Sequence, residues 1–231
     1  LMPNPFYQIY EGAALLAGSQ PFFVNATKKS FYKANFLELD DAHFKNCRLL
    51  YLCSPHNPTG ATYTLDEYRR LIELAIKYNF IIASDECYSE IYYDEGQPPV
   101  GLLEAAESMG LDHYQNCICF HRLSKRSNLP GLRSGFVAGD RSIIQTYLKY
   151  RTYHGAAMPV PVQEASKVAW QDEAHVIANR SLYRKKFDLV IRQDLFHKTL
   201  FLDCGFLRSK IWLDSNCSWK EKLRSQKTTL F

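Results

Sequence analysis

Residues 123–136 read LSKRSNLPGLRSGF; they follow the apolar run Asn116–His121 and end in a second run, Gly135–Ala138. Three further short apolar runs precede them, at Pro21–Asn25, Arg48–Cys53 and Phe80–Ala83. These runs alternate with longer segments of helical period, which is typical of βαβ units in a parallel sheet. The sequence therefore predicts an α/β domain.

Five segments have the apolar period of a helix. The clearest begins at Thr64, where Thr64 and Glu67 form a predicted capping box. Its apolar face consists of Leu65, Tyr68, Leu71, Ile72 and Ala75. The other helices are predicted at Tyr7–Ala17, Arg141–Tyr153, Pro161–Trp170 and Glu173–Val190. From about Asp188 the apolar positions follow neither period, so we expect one domain over residues 1–187 and an atypical tail over residues 188–231.

The composition and charge of the chain argue against a membrane protein, a metalloprotein and a nucleic-acid-binding protein. The chain has 231 residues, 46% of them hydrophobic, with no apolar run of membrane-spanning length. It begins Leu-Met-Pro-Asn-Pro, without a basic leader or a hydrophobic signal core, so we expect a cytoplasmic protein with no membrane partner. Seven cysteines without a CxxC pair predict reduced thiols and no metal site. The net charge is +4, and residues 188–231 supply +3 of it, with eight Lys and Arg against five Asp and Glu. The rest of the chain is therefore nearly neutral, which argues against a nucleic-acid partner.

A lysine, an acid and a phenol follow two of the predicted strands. Lys125 lies just beyond the run Cys117–Phe120, and Asp85 closes the run Phe80–Ala83, with Tyr88 three residues later. Ligands of open α/β sheets bind at the carboxyl ends of strands. A lysine there can form a Schiff base with an aldehyde, and a carboxylate can keep a pyridine nitrogen protonated. The three residues together predict a site for pyridoxal phosphate (PLP). Considered one at a time, Lys125 is equally explained as a surface lysine, Asp85 as a strand-end cap and Tyr88 as an ordinary packing residue.

Two further motifs suit such a site. The sequence HNPTG (residues 56–60) follows the run ending at Cys53 and allows a cis X-Pro bond, with the Asn57 amide directed into the site. Arg133 lies between Gly131 and Gly135. Its guanidinium can bind a phosphate through two N–H groups, and the glycines let the backbone come close to that phosphate. Alone, NPTG predicts only a turn and Arg133 a solvated surface charge.

Taken together, HNPTG (residues 56–60), SDECY (84–88) and RSNLPGLRSGF (126–136) resemble the motifs of class I aminotransferases of PLP-dependent fold type I. The strings DECYSEIY (85–92) and YRTYHGAAM (150–158) are most similar to bacterial N-succinyldiaminopimelate aminotransferases. The resemblance covers roughly residues 1–190. It implies a three-layer αβα domain with a mostly parallel sheet, the large PLP-binding domain of this fold.

The resemblance also implies roles for individual residues. Lys125 would form the internal aldimine with PLP, and Asp85 would pair with the ring nitrogen. Asn57 and Tyr88 would contact the ring oxygen. By the same matching of motifs, Tyr7 would lie over the pyridine ring, although an aromatic residue there is equally explained by core packing.

Arg133 would bind the cofactor phosphate, but the chain departs from the family pattern nearby. Members usually carry a serine phosphate ligand three residues before the lysine, where this chain has Arg122 and keeps only Ser124. The N-terminal arm and phosphate cup that precede this region in the family are not recognisable, nor is the C-terminal small domain after Asp188. We therefore expect a fragment whose end is out of frame or unrelated.

The resemblance implies transamination between an amino acid and a keto acid, with N-succinyl-LL-2,6-diaminopimelate and 2-oxoglutarate as the expected pair in lysine and cell-wall precursor synthesis. The family implies a homodimer. Three alternatives stay open: a PLP-dependent lyase of the same fold, a fragment that binds PLP weakly or not at all, and a ligand-sensing regulator. The regulator would need a basic DNA-binding module, and none is visible in the sequence.

Overall fold

The computed structural model describes residues 1–155 and 157–192. Within this part the chain forms six strands, eight α-helices and three 3-10 helices. The strands are β1 (Met2–Asn4), β2 (Phe23–Asn25), β3 (Leu49–Cys53), β4 (Ile81–Asp85), β5 (Cys117–Arg122) and β6 (Gly135–Gly139). The helices are α1 (Gln8–Leu16), α2 (Asp41–Lys45), α3 (Leu65–Tyr78), α4 (Leu102–Ser108), α5 (Leu123–Arg126), α6 (Arg141–His154), α7 (Val160–Gln171) and α8 (Ala174–Arg192). The 3-10 helices are Lys28–Ser30, Phe36–Glu38 and Pro130–Leu132.

The central sheet has the order β3-β4-β5-β6, in which β3, β4 and β5 run parallel and β6 is antiparallel to β5. Its register pairs Asp85 with Cys53 on one side and with Phe120 on the other. Strand β1 pairs in parallel with β2, and the Tyr51 amide of β3 donates to the Leu1 carbonyl at 3.0 Å. The carboxyl ends of β3, β4 and β5 therefore lie side by side, with Asp85 in the middle.

Helix α3 shows how local sequence and burial combine. The Thr64 amide donates to the Glu67 carboxylate at 2.7 Å and the Glu67 amide donates to the Thr64 hydroxyl at 3.2 Å, which confirms the predicted capping box. The helix ends at Tyr78 and is capped by Asn79, which adopts a left-handed conformation with φ of 54°. Four residues of its predicted apolar face are fully buried, namely Tyr68, Leu71, Ile72 and Ala75. They belong to one core cluster with Leu50, Leu52 and Ile82 of the sheet.

Two glycines let β6 approach β5. A Cβ atom on Gly139 would lie 2.0 Å from the Cys117 carbonyl oxygen, and one on Gly135 would lie 2.5 Å from the His121 carbonyl oxygen. Any other residue at either position would clash with the backbone of the neighbouring strand. Gly135 was expected to let the backbone approach a phosphate; in the structure it contacts β5.

The fold confirms the predicted α/β class, a three-layer αβα domain with a mostly parallel sheet. All five predicted strands and all five predicted helices are present, whereas β1, α2, α4 and α5 were not predicted. The boundary drawn at residue 188 stays a prediction, since α8 continues to Arg192 and residues 193–231 lie outside the described part. Among the described residues, no helix is both long and apolar enough to cross a membrane.

Candidate active site

A cavity of about 570 Å³ opens at the carboxyl ends of the parallel strands. Its walls come from the ends of β3, β4 and β5, the start of β6, and helices α1 and α6. Of the six predicted site residues, Tyr7, Asp85 and Arg133 line this cavity. Lys125, Tyr88 and Asn57 are not among the described residues that line it, although Ser124, next to Lys125, is.

Two hydrogen bonds fix the Asp85 carboxylate at the end of β4. The Tyr10 hydroxyl donates to Oδ2 at 2.6 Å and the Cys87 amide donates to Oδ1 at 3.2 Å. Tyr10 itself stacks on Tyr51, with ring centroids 4.7 Å apart and planes at 10°. Burial, with the nearby Cys53 and Asp85, raises the pKa of Tyr10, so its phenol stays protonated and donates. The carboxylate is therefore held in one orientation on the cavity wall.

Lys125 lies in the short helix α5, directly after β5. Its Nζ is 5.6 Å from the centroid of the Tyr88 ring, and Tyr88 follows Asp85 by three residues. The Asn179 side chain of α8 donates to the carbonyl oxygens of Lys125 and Arg126, both at 3.3 Å. The structure therefore brings Lys125 to the sheet edge that carries Asp85 and Tyr88, with its backbone anchored by α8.

Helix α8 also anchors the segment after β4. The buried Arg180 donates to Glu90 at 2.9 Å and to Glu95 at 3.0 Å, and its guanidinium lies 4.4 Å from the Tyr92 ring centroid. On the same helix, Phe187 joins a buried cluster with Cys87, Tyr88 and Ile91. Tyr88 is thus packed from one side by α8 and faces the Lys125 ammonium with its ring.

The turn at residues 54–60 is organised by His56 and contains a cis Asn57–Pro58 bond. His56 is buried; its Nε2 donates to the Pro5 carbonyl at 3.0 Å, so Nδ1 accepts from the Thr59 hydroxyl at 2.7 Å. Burial lowers the pKa of His56 to about 4, although the Pro5 carbonyl and the Asp85 charge oppose this shift. The neutral imidazole ties the turn to the segment before α1, while the half-buried Asn57 stays outside the cavity lining.

Arg133 and Tyr7 reach the cavity from exposed positions. Arg133 adopts a left-handed conformation with φ of 52°, and its Nη1 donates to the Pro130 carbonyl at 3.0 Å. Tyr7 precedes α1, is 39% exposed and contacts Tyr10 edge-to-face at 6.1 Å. Both side chains are therefore accessible to a ligand in the cavity.

The thiols near the site are protonated. Burial, followed by the charge of Asp85, raises the pKa of Cys53 to about 12 and also raises that of Cys87. Potential metal-ligand atoms of buried Glu86, buried Cys119 and half-buried His121 lie within 4.8 Å of one another. Two of these side chains are already in contact, because His121 Nε2 is 3.1 Å from Glu86 Oε2, while Glu86 Oε1 accepts the Leu102 amide at 2.8 Å.

Sequence reasoning missed two residues of this site. Tyr10 was included only in the predicted helix Tyr7–Ala17, yet it bonds Asp85 directly; its spacing of three residues from Tyr7, one helical turn, was the available signal. His56 was quoted only as part of a motif, and nothing in the sequence shows that it bonds Pro5, which is 51 residues away. The roles given to Lys125, Asp85 and Tyr88 toward a cofactor stay predictions.

The family model of class I and II aminotransferases matches residues 1–196 of this chain. The chain belongs to this family. Among solved structures, an aminotransferase from Neisseria meningitidis Z2491 is 50% identical with a TM-score of 0.80, covering 89% of this chain and 52% of that one. Aminotransferase AspB from Helicobacter pylori 26695 is 40% identical with a TM-score of 0.79, covering 86% of this chain and 51% of that one.

A curated relative gives a finer comparison. The LL-diaminopimelate aminotransferase of Maridesulfovibrio salexigens is 32% identical over 192 residues, which is 83% of this chain and 48% of the relative. The chain thus spans about half the length of the curated relatives it matches. The expected similarity to N-succinyldiaminopimelate aminotransferases is not confirmed, since the relatives from Maridesulfovibrio salexigens and Aquifex aeolicus are both named LL-diaminopimelate aminotransferase.

Proposed function

We propose that this chain forms the PLP-binding part of an aminotransferase that moves an amino group between an amino acid and a keto acid. The observation that carries the proposal is the Asp85 carboxylate, which lines the cavity and is oriented by Tyr10 and Cys87. A carboxylate held this way is suited to keep a pyridine nitrogen protonated. Lys125 at the same sheet edge supplies the amine that such a cofactor needs.

The residues fit PLP by their chemistry. The cavity combines one acid, Asp85, with the cationic side chains of Arg122 and Arg133 and the phenol of Tyr7, which suits a flat, anionic pyridine ligand. The Nε atom of Arg122 is buried without a hydrogen-bond partner, so the site has donor capacity for an anionic ligand. When bound, PLP supplies an electron sink for the charge that develops at the substrate Cα.

Each side chain then has a distinct task. Lys125 Nζ would hold the cofactor and would move the proton at the substrate Cα. Asp85 keeps its charge directed at the ring nitrogen, because Tyr10 and the Cys87 amide fix both carboxylate oxygens. Arg133 would offer its guanidinium to the phosphate, and Tyr7, which also lines the cavity, would limit the access of water to the bound ring.

The proposed amino substrate has the diaminopimelate skeleton, with 2-oxoglutarate as the acceptor. The names of the curated relatives support the free LL-diaminopimelate, whereas the strings at residues 85–92 and 150–158 were matched to enzymes of the N-succinyl form. A homodimer and a cytoplasmic location belong to the same proposal, by analogy with the family. Rates with the free and the succinylated compound, each at equal concentration, decide between the two substrates.

The test is an amino-transfer assay on the 231-residue chain supplied with PLP. Glutamate should appear from 2-oxoglutarate and LL-diaminopimelate, and Asp85→Asn should slow this about 10²–10³-fold. A matched control is Asp112→Asn, which changes an exposed acid that does not line the cavity. Continued release of keto acid together with ammonia in the absence of 2-oxoglutarate, beyond one equivalent of the cofactor, would indicate a lyase instead. A chain that folds but turns over neither substrate would contradict the proposal for this chain.

A further inference from the structure

Three side chains with metal-ligand atoms meet where β4 and β5 end. Cys119 and His121 are two residues apart on β5, so their side chains lie on the same face of the strand. Glu86 directly follows β4, the neighbouring parallel strand, and its amide donates at 3.0 Å to the carbonyl of Phe120, the residue between the other two. One sulfur, one imidazole nitrogen and one carboxylate oxygen thereby come within 4.8 Å of one another.

The spacing of these atoms suits a small tetrahedral ion. Bonds of about 2.0–2.3 Å to zinc place neighbouring ligand atoms about 3.3–3.6 Å apart. His121 Nε2 and Glu86 Oε2, at 3.1 Å, are already close to this spacing. The Cys119 sulfur lies no more than 4.8 Å from the ligand atoms of the other two, so a side-chain adjustment of about 1 Å brings all three to one ion.

Outer contacts restrain two of the three ligands. Glu86 Oε1 accepts the Leu102 amide at 2.8 Å, which leaves Oε2 toward His121. The His121 ring stacks on Phe136, with ring centroids 5.1 Å apart and planes at 28°. Such outer partners orient metal ligands and are each worth roughly 10–100-fold in metal affinity. Glu86 and His121 are thus held facing each other by contacts outside the cluster.

The cluster is open on one side. Glu86 and Cys119 are buried, whereas the His121 side chain is 23% exposed, and both His121 and Phe136 line the cavity. An ion can therefore reach the three ligands from the cavity, and a water molecule can reach the fourth coordination position by the same path.

We propose that Glu86, Cys119 and His121 bind one Zn²⁺ ion, with water as the fourth ligand. A sulfur, a nitrogen and an oxygen suit zinc, whereas Mg²⁺ prefers oxygen ligands alone. Burial and the charge of Glu86 raise the pKa of Cys119 to about 12, so the ion binds by displacing the thiol proton. The bound ion joins the ends of β4 and β5 next to Asp85.

This inference does not rest on the proposed function, because no cofactor takes part in it. It departs from the sequence-based expectation of no metal site, which followed from the missing CxxC pair. Ligands drawn from two neighbouring strands leave no such spacing in the sequence.

Titration with Co²⁺, a spectroscopic substitute for zinc, tests the ligand set in the reduced 231-residue chain without PLP. We expect one equivalent of Co²⁺ to give a thiolate-to-metal charge-transfer band, and one equivalent of Zn²⁺ to abolish it. Cys119→Ser should remove this band, although it keeps the other six of the seven cysteines. Cys117→Ser, which changes a buried cysteine on the same strand, is the matched control and should keep the band.

Zinc affinity is measured by competition with a chromophoric chelator, after circular dichroism has shown that each variant is folded. His121→Gln should weaken zinc binding by at least about tenfold. His113→Gln, which changes an exposed histidine, should leave the affinity unchanged, and Mg²⁺ at the same concentration should not compete with zinc.

Three results would overturn the inference. The wild-type chain gives no charge-transfer band, the band survives in Cys119→Ser, or zinc affinity is the same in His121→Gln as in the wild type. His121→Gln decides the question by itself if Cys119→Ser does not fold.

Discussion

The buried His56 predicts a specific loss of stability in mild acid. Its pKa is about 4 in the folded chain and about 6.5 when unfolded, so between these values only the unfolded chain binds the proton. The free energy of unfolding therefore falls as the pH drops through this window. The full difference amounts to about 3 kcal/mol, of which about 2 kcal/mol is lost by pH 5. The physical cause is twofold: a charged imidazole loses its hydration when it is buried, and its protonated Nδ1 can no longer accept the hydrogen bond from the Thr59 hydroxyl.

The assay is urea unfolding of the 231-residue chain at several pH values between 7.5 and 5, compared with His56→Gln. The variant cannot titrate, so it should lose about 2 kcal/mol less than the wild type over this range. His113→Gln changes an exposed histidine and is the matched control, with a pH dependence close to that of the wild type. Equal pH dependence of the wild type and His56→Gln would refute the reasoning.

Two further substitutions test contacts that position the site. Tyr10→Phe keeps the stacking on Tyr51 but removes the donor to Asp85, and should lower the free energy of unfolding by about 2 kcal/mol. Urea unfolding measures this, and Tyr51→Phe, which leaves the Asp85 bond intact, should cost less than half as much. Thr64→Ala removes the cap that accepts the Glu67 amide, and should cost about 1 kcal/mol by the same assay; a loss near zero would show that the capping box contributes nothing.

The strands and helices were predictable because a buried face requires apolar residues at the regular spacing of a strand or a helix. The apolar run of β3 and the capping box of α3 each determine an element locally. The missed strand β1 has three residues and contains a proline, so it carries no such period. The antiparallel direction of β6 was not predicted either, since an apolar run does not encode direction; the short connection through α5, rather than a long crossover, allows it.

The candidate site was predictable only where the reactive side chains belong to a short sequence motif. Lys125, Asp85 and Tyr88 follow strand ends, and parallel strands bring such positions to one edge. The contacts that organise the site join distant segments and leave no local signal: Tyr10 bonds a residue 75 positions away, and Asn179 bonds the Lys125 carbonyl 54 positions away. The environment of Arg122 likewise depends on which side chains face the cavity, which the sequence order does not reveal.

The central claim to be tested is that Lys125 and Asp85 serve one pyridine ring. The most direct measurement incubates the chain with PLP, reduces it with borohydride and locates the labelled lysine by mass spectrometry of peptides. We expect the label on Lys125, its loss in Lys125→Ala, and no change in Lys149→Ala, a substitution of an exposed lysine in α6. Stoichiometric label on a different lysine, or its persistence in Lys125→Ala, would contradict the account.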